Sequence, residues 1–267
     1  MSDPQEPLNP LAVSGGPDPA PTGGGPEMSV LEHLEELRWR IVKAVAAVFV
    51  AGLVVFAFNN PIIHVLERPL NPAFNVFGPG TTQTIELIFT APGEYFFAVI
   101  KVALLGGLYL ALPVILFQLL AFISPGLLPN ERKWAVPIVV GSFIFFTIGA
   151  VFAYFLLLPA GLQFLVGFAP PEVKALLSVG KYLSFAAGLM FATGLAFQLP
   201  LFLLGASAAG VVTSYYLARF RRQAFFSAFV LAALITPSID IFTQVMLAGA
   251  LYLLFELSIF LIRLTGK

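Results

Sequence analysis

The sequence contains no cysteine and only two histidines among its 267 residues. Disulfide frameworks, iron–sulfur clusters and thiol catalysis are therefore excluded. A structural zinc site is not expected either, because its ligands are mostly cysteine and histidine. Charge is also scarce: fourteen basic and fourteen acidic residues cancel to a formal net charge of zero. That balance argues against a nucleic-acid partner held by bulk electrostatics. The sequence thus predicts neither a metal nor another cofactor.

Apolar residues take the place of the missing charge. Hydrophobic residues make up 59% of the chain and charged residues 10%, and the mean hydropathy is +0.94. A soluble domain of this size carries about a quarter charged residues, which its surface needs for solvation. The composition therefore predicts an integral membrane protein.

Residues 1–27 differ from the rest of the chain. They hold seven prolines and five glycines and no lysine or arginine. Such a segment has too little apolar surface to offset the entropy of ordering it, so it is predicted to be a disordered tail. It lacks the basic and apolar regions of a secretory signal peptide. The functional domain is predicted to occupy residues 28–267.

That domain is predicted to be all-α, with six transmembrane helices in a concave, cupped arrangement. A spanning helix needs about 20 apolar residues, and prolines inside two of the runs, Pro113 and Pro200, should bend their helices. The last two helices are predicted to be short, because Pro237 ends one run and Glu256 interrupts the other. Such a short hairpin would thin the bilayer locally. The predicted spans are 41–58, 102–123, 135–158, 182–205, 223–239 and 241–262.

The basic residues indicate how these spans are oriented. If the N-terminus is cytoplasmic, ten lysines and arginines fall on the cytoplasmic side and three or four on the outer side. This is a strong positive-inside bias. The sequence therefore predicts a multi-pass protein of the cytoplasmic membrane with both termini in the cytoplasm.

The segment 28–40 is predicted to be an amphipathic helix on the membrane surface, leading into the first span. Ser29 and Glu32 form a capping box at its start, and Glu36 can pair with Arg40 one turn later. Two interpretations remain open for its acidic face. It is either a solvated lead-in helix or a surface whose carboxylates recognise a cationic partner.

A cytoplasmic loop, 122–134, carries a second group of chemically interesting residues. Phe122 lies at the membrane boundary, and Glu131 precedes Arg132 and Lys133. A carboxylate beside an aromatic ring suits a guanidinium, which pairs bidentately with carboxylates and stacks on rings. The alternative is that Glu131 merely pairs with its basic neighbours, since such surface pairs are common and weak.

Polar residues also occur at membrane depth, where they are costly. Gln198 is predicted to face protein or a wet cavity, and Gln118 to bond across helices. Glu256 is predicted to lie near the inner boundary of the membrane. There it either pairs with Arg263 or snorkels to the interface.

Several segments together resemble one family. They are, in order, HLEELRWR, PVILFQLLAFISPGLLPNER, AYF, YLSF, GLAFQLPL and ITPSIDIFTQ. This ordered set, from about Met28 to Arg263, is similar to TatC, the multispanning receptor subunit of the twin-arginine protein translocase. The stretch TAPGEYFFAVIK looks most like the cyanobacterial and plastid branch. The resemblance implies six helices in a glove-like shape with both termini cytoplasmic.

The resemblance also implies a function and a set of site residues. TatC binds the Arg-Arg signal peptide of folded cargo, assembles with TatA- and TatB-type single-span proteins and with itself, and is no enzyme. The proton-motive force drives the transport. By resemblance the signal site takes Glu131 as the principal partner, Phe122 beside it, and Glu36, Arg38 and Arg40.

Four further residues match family positions. Pro69 matches a structural proline of the first outer loop. Gln198 stands where many members have Glu, so it cannot carry a charge at that depth. Thr236 and Gln244 match a polar cluster where TatA and TatB dock.

Two other classes of protein fit the sequence less well than this resemblance does. A secondary transporter of small solutes would predict internal repeats, and none is visible. An intramembrane enzyme would need a catalytic motif such as H-E-x-x-H or G-x-S-x-G, and the sequence has neither.

Overall fold

The computed structural model describes residues 30–71, 74, 85–123, 135–167, 170, 176–236 and 240–264. The predicted tail 1–27, Ser29 of the capping box and Pro237 lie outside these ranges. The described part is mostly helical, with one two-stranded sheet. Its elements are α1 Val30–Ala57, α2 Asn59–Glu67, a 3₁₀ turn Arg68–Leu70, β1 Glu86–Ile88, α3 Glu94–Ile123, α4 Ala135–Phe152, a π-helical segment Ala153–Leu157, α5 Leu158–Gly167, β2 Leu176–Ser178, α6 Val179–Ala196, α7 Leu199–Ala208, α8 Ser214–Arg219, α9 Arg221–Ile235 and α10 Ile241–Leu264.

Five helical stretches in the described residues are long and apolar enough to cross a membrane. This agrees with the predicted multi-span helical membrane protein. The five stretches are Glu32–Ala57, Glu94–Phe122, Val136–Gly167, Val179–Ala208 and Ile241–Leu264. The remaining predicted span corresponds to α9, which has 15 residues. At about 1.5 Å per residue it is about 22 Å long, less than the hydrocarbon core of about 30 Å.

The prediction of a short hairpin holds for α9 but not for the full length of the last helix. Helix α10 has 24 residues, because Glu256 does not end it. The Glu256 carboxylate is instead paired with Arg221 at the start of α9. The uncharged part of α10 before Glu256 is therefore about as long as α9, and the helix continues beyond that level.

The first helix also differs from the prediction. The lead-in segment and the first span form one unbroken helix, α1, of 28 residues, rather than a surface helix followed by a span. No proline or glycine interrupts the sequence between them, so nothing breaks the hydrogen-bond ladder there. The acidic start of α1 is therefore a rigid extension of a membrane-spanning helix.

The two interior prolines have different effects. Pro113 lies inside α3, which continues through it. Pro200 is in the first turn of α7, after a break at Phe197 and Gln198 that separates α7 from α6. Proline is tolerated in a first turn because its missing N–H is unpaired there anyway. The fourth predicted span is thus divided in two at membrane depth.

The core lies where α3, α4, α5, α6 and α10 meet. Leu157, Leu158, Leu183 and Leu247 are completely buried there. Helix α1 packs along α3 through glycine: a Cβ added at Gly107 would lie 2.6 Å from Gly52 Cα. Most other apolar side chains of α1 face outward. An outward apolar surface is what lipid contact requires of membrane helices.

The end of the bundle that carries β1 and β2 is hereafter the β end. The two strands pair in parallel, with Glu86 opposite Leu176, a feature that the sequence did not predict. The 3₁₀ turn holds Pro69 in a buried position. Nearby, the Tyr154 hydroxyl donates to the Val65 carbonyl at 2.7 Å. Pro69 therefore lies in a buried turn, and the structural role implied for it by the resemblance stays a prediction.

Two further groups tie the β end together. The Tyr182 hydroxyl donates to the Leu66 carbonyl at 2.6 Å. The Glu94 carboxylate at the start of α3 accepts from the Thr90 backbone N–H at 2.6 Å and the Gly180 N–H at 2.8 Å, and from the Ser178 hydroxyl. Glu94 thereby joins the loop before α3 to the start of α6. Carboxylates that accept several backbone N–H groups make strong, charge-assisted bonds.

Candidate functional site

The start of α1 carries the acidic residue with the best-defined partner. Glu36 Oε1 accepts from Arg40 Nε at 3.0 Å, and Arg40 Nη2 donates to the same oxygen. The predicted Glu36–Arg40 pair is therefore confirmed. The second carboxylate oxygen, Oε2, is buried and has no hydrogen-bond donor among the described residues. His33 Nδ1 lies 4.0 Å from this oxygen, which is too far for a hydrogen bond.

A ring contact joins this segment to the end of α3. His33 stacks on Phe122, with the ring centroids 4.4 Å apart and the planes at 19°. Helix α1 begins and α3 ends at the same end of the bundle, opposite the β end, because the two helices pack antiparallel. The contact brings together Glu36, Arg40 and Phe122, three of the residues predicted for the signal site.

The other two predicted members of that site are not brought into this group. Arg38 points to another face of α1, since it lies about 140° from His33 around the helix axis. Its guanidinium carbon lies 5.7 Å from the ring centroid of Trp39. Glu131 lies outside the described residues, as does the rest of the loop 124–134. Its predicted role as the principal arginine partner therefore stays a prediction.

Gln198 occupies the break between α6 and α7. Its side-chain amide donates to the Ser142 carbonyl of α4 at 2.9 Å, and the residue is half-buried. Ser142 itself is buried. The structure thus places Gln198 against protein, where it links the broken fourth span to the third.

Thr236 and Gln244, predicted to lie where partner proteins dock, make bonds within the α9–α10 hairpin. The Thr236 hydroxyl donates to the Ala232 carbonyl at 2.9 Å. The Gln244 amide donates to the Phe229 carbonyl of α9 at 3.4 Å. Between them Asp240 caps α10 by accepting from the Thr243 N–H at 2.7 Å. These bonds shape the turn at which the two helices meet.

The opposite end of that hairpin is closed by an ion pair. Arg221 Nε and Nη2 donate to the two oxygens of Glu256 at 2.8 and 2.9 Å. The Tyr252 hydroxyl donates to Glu256 Oε1 at 3.1 Å. The predicted pairing of Glu256 with Arg263 is therefore wrong. Helix α9 brings Arg221 back alongside Glu256, which sequence spacing within α10 does not reveal.

Two side chains that join distant segments, His33 and Glu94, are not among the residues predicted from the sequence. His33 had a local signal, since it lies three residues before Glu36 and so on the same helix face. Glu94 had no such signal, because Thr90 precedes it by four residues rather than by the three of a capping box. Within the described residues, no group of three or more histidine and acidic side chains is placed to hold a metal ion.

Comparison with known proteins identifies the family. Residues 32–249 match the family model described as Sec-independent protein translocase protein (TatC). The chain is 39% identical to the TatC of Synechocystis sp. over 90% of both proteins. A crystal structure of the twin-arginine translocase receptor TatC superposes with a TM-score of 0.72 at 39% identity, covering 88% of this chain and 100% of the other.

Plastid relatives are similar as well. The chain is 40% identical to the chloroplastic TATC of Oryza sativa subsp. japonica over 90% of its own length. It spans 64% of that longer protein. Both the cyanobacterial and the plastid resemblance predicted from TAPGEYFFAVIK are thus confirmed. The small-solute transporter and the intramembrane enzyme are set aside. The chain is a multi-pass membrane protein that belongs to the TatC family of Sec-independent protein translocase proteins.

Proposed function

We propose that this chain is the receptor subunit of a twin-arginine translocase and binds the Arg-Arg signal peptide of folded cargo proteins. The signal site is formed by the start of α1, the end of α3 and the loop that follows it. The observation that carries the proposal is the stack of His33 on Phe122. It puts a carboxylate-bearing helix and an aromatic ring at one end of the bundle, which is the pair of groups a guanidinium needs.

The charges at this end fit a cationic ligand. Glu36 Oε1 already accepts from one guanidinium, that of Arg40, so the site has the geometry to bind this group. Glu36 Oε2 is buried and unpaired within the described ranges, so a further donor reaches it only after a neighbouring side chain moves. We propose Glu131 as the second carboxylate, so that two signal arginines meet two acidic groups. Arg38 and Arg40 contribute positive charge next to the site. An incoming signal arginine replaces Arg40 as the partner of Glu36.

The apolar part of the signal peptide needs a different surface. The end of the bundle where α1 begins and α3 ends is hereafter the recognition end. We propose that the apolar part lies along the membrane-facing side of the bundle next to it, in the concave face predicted from the prolines. Gln198 at the break between α6 and α7 offers a polar group at that depth without a charge. Any transport step that needs an ionised side chain at this position is therefore not available to this chain.

We also propose where the protein acts and with what it assembles. The positive-inside bias places both termini in the cytoplasm and the recognition end on the cytoplasmic side of the cell membrane. TatA- and TatB-type subunits dock at the α9–α10 hairpin, whose shape is held by Thr236 and Gln244. The short α9 thins the bilayer beside them, and the proton-motive force drives transport.

The test is binding of a labelled signal peptide to the purified chain in nanodiscs, with Arg-Arg and Lys-Lys versions compared. The wild type should prefer the Arg-Arg peptide. Phe122→Ala should lower that preference by about 0.5–2 kcal/mol, the range for a cation on an aromatic face. Glu131→Ala should cost about 1.5–3 kcal/mol, the range for a hydrogen bond to a charged group.

Phe117→Ala is the matched control, because Phe117 is an exposed ring on another face of the same helix. It should leave the preference unchanged. Equal binding of both peptides to the wild type, with and without a co-expressed TatB-type partner, would contradict the receptor function. Selective binding that ignores both Phe122 and Glu131 would keep the function and move the site elsewhere.

A further inference from the structure

His33 occupies a position between the two halves of the proposed signal site. Its first interaction is the parallel stack on Phe122 at the end of α3. The other is the approach of Nδ1 to Glu36 Oε2 on its own helix, at 4.0 Å. Its side chain is 45% exposed, so the imidazole is reachable from solvent and is not a core residue. One side chain therefore contacts both the ring and the carboxylate.

The stack constrains the ring that a guanidinium would use. Phe122 is on the last turn of α3, next to the loop, where a phenyl side chain is free to change rotamer unless something packs on it. Parallel stacking at 4.4 Å fixes the plane of the ring as well as its position. A planar guanidinium stacks on an aromatic face, whereas a lysine ammonium does not need a fixed plane. Fixing the ring should therefore favour arginine over lysine.

We infer that His33 is a positioning residue of the signal site: its ring holds Phe122 in the orientation that distinguishes arginine from lysine. This inference rests on the proposed function. It adds His33, a residue outside the predicted site. His33 should affect the preference for Arg-Arg over Lys-Lys peptides more than the overall affinity for the peptide. Glu36 lies one turn from His33 on the same helix, with its Oε2 4.0 Å from the imidazole Nδ1.

The chain supplies a matched control for this residue. His64 has the same spacing to an acidic neighbour, with Nδ1 3.5 Å from Glu67 Oε2. Its side chain is 79% exposed, and it lies on α2, at the β end. Removing His64 deletes an equivalent His–Glu contact without touching Phe122.

The experiment measures Arg-Arg and Lys-Lys peptide affinities for variants of the full chain in nanodiscs. His33→Ala should reduce the Arg-Arg preference about two- to tenfold, the range that corresponds to an aromatic pair. His33→Phe keeps a ring on Phe122 and should retain the preference. His64→Ala should not change it. In a Phe122→Ala background, His33→Ala should have no further effect.

A second measurement keeps the test informative if His33→Ala folds poorly. The chain has only two histidines, so in His64→Ala every histidine NMR signal comes from His33. The ring protons of His33 should move when Phe122 is replaced by Leu and when the Arg-Arg peptide binds. His33→Asn provides a second ring-free variant, and it should lose the preference as His33→Ala does.

The outcomes separate this inference from the proposed function. A wild type that binds both peptides equally overturns the function and the inference together. A selective wild type whose preference survives His33→Ala and His33→Asn overturns the inference alone. A His33→Phe variant as unselective as His33→Ala would also overturn it, because the ring would then not be what positions Phe122.

Discussion

At the β end, four hydrogen bonds join residues that are 84 to 116 positions apart in the sequence. At the opposite end, Glu36 and Glu256 accept from arginines only 4 and 35 positions away, in ion pairs that are half-buried or exposed. The β-end bonds include that of the buried Tyr182 hydroxyl to a backbone carbonyl, while the opposite end includes the stack of His33 on Phe122.

The difference separates stability from recognition. A buried hydrogen bond leaves an unsatisfied group behind when it is broken, which is costly. An exposed ion pair contributes little and can exchange its partner with a ligand. Ligand-binding segments are drawn from the parts of a structure that open most easily. The β end therefore fixes the arrangement of the helices, and in the proposed function the opposite end keeps carboxylates for a signal peptide.

The largest expected effect on stability comes from a substitution between α1 and α3, the helix pair that connects the two ends. A Cβ at Gly107 would lie 2.6 Å from Gly52 Cα and N and 3.0 Å from the Val48 carbonyl oxygen. These are backbone atoms, so Gly107→Leu should force α1 away from α3. We expect a loss of about 3 kcal/mol in the free energy of unfolding, measured by titration with a denaturing detergent.

The same variant should disrupt the proposed signal site, because moving α1 separates His33 from Phe122. The Arg-Arg preference should therefore fall along with the stability. Gly249→Leu is the control, since a Cβ there meets nothing within 4 Å, and both quantities should be close to wild type. A Gly107→Leu protein that is destabilised but still selective would mean that the site does not depend on α1–α3 packing.

A smaller effect is expected from removing one β-end bond. Tyr182→Phe deletes the donor to the Leu66 carbonyl and leaves the ring in place. We expect a loss of about 1–2 kcal/mol in the free energy of unfolding, because a buried acceptor is left without a partner. Peptide selectivity should not change.

Tyr215→Phe is the matched control for that substitution, because Tyr215 is 82% exposed and its hydroxyl is open to solvent. It should leave the stability unchanged. A change of peptide selectivity in Tyr182→Phe would show that the two ends are energetically coupled, and the separation of stability from recognition would then fail.

The sequence was sufficient for features that depend on local pattern. Long apolar runs predicted the spanning helices, and spacing of four residues predicted the Glu36–Arg40 pair. Helix starts were less accurate: α3 begins at Glu94 rather than at 102, because its first turns lie outside the uncharged run. The Glu94 carboxylate accepts from the N–H groups of Thr90 and Ala91, which orders the chain just before the helix. Hydropathy marks the part of a helix inside the membrane and not its full length.

Features that depend on contacts between distant segments were not predictable in this way. The β1–β2 ladder has only three residues on each strand, too few to show a pattern. The stack of His33 on Phe122 joins two helices whose packing the sequence does not specify. Spacing along α10 offers Glu256 only Arg263 or the membrane interface, whereas its partner Arg221 reaches it from α9.

The smallest expected effect tests that last pair. Glu256→Arg should lower the melting temperature slightly, since it places two arginines together, and Arg221→Glu should do the same with two glutamates. Exchanging both residues should restore most of the loss, because the bidentate geometry can be rebuilt in the opposite sense. The differences should shrink at high salt, which screens exposed charges. If Arg263→Glu rescues Glu256→Arg and Arg221→Glu does not, the pair within α10 is the real one, and the closing of the α9–α10 hairpin at this end must have another cause.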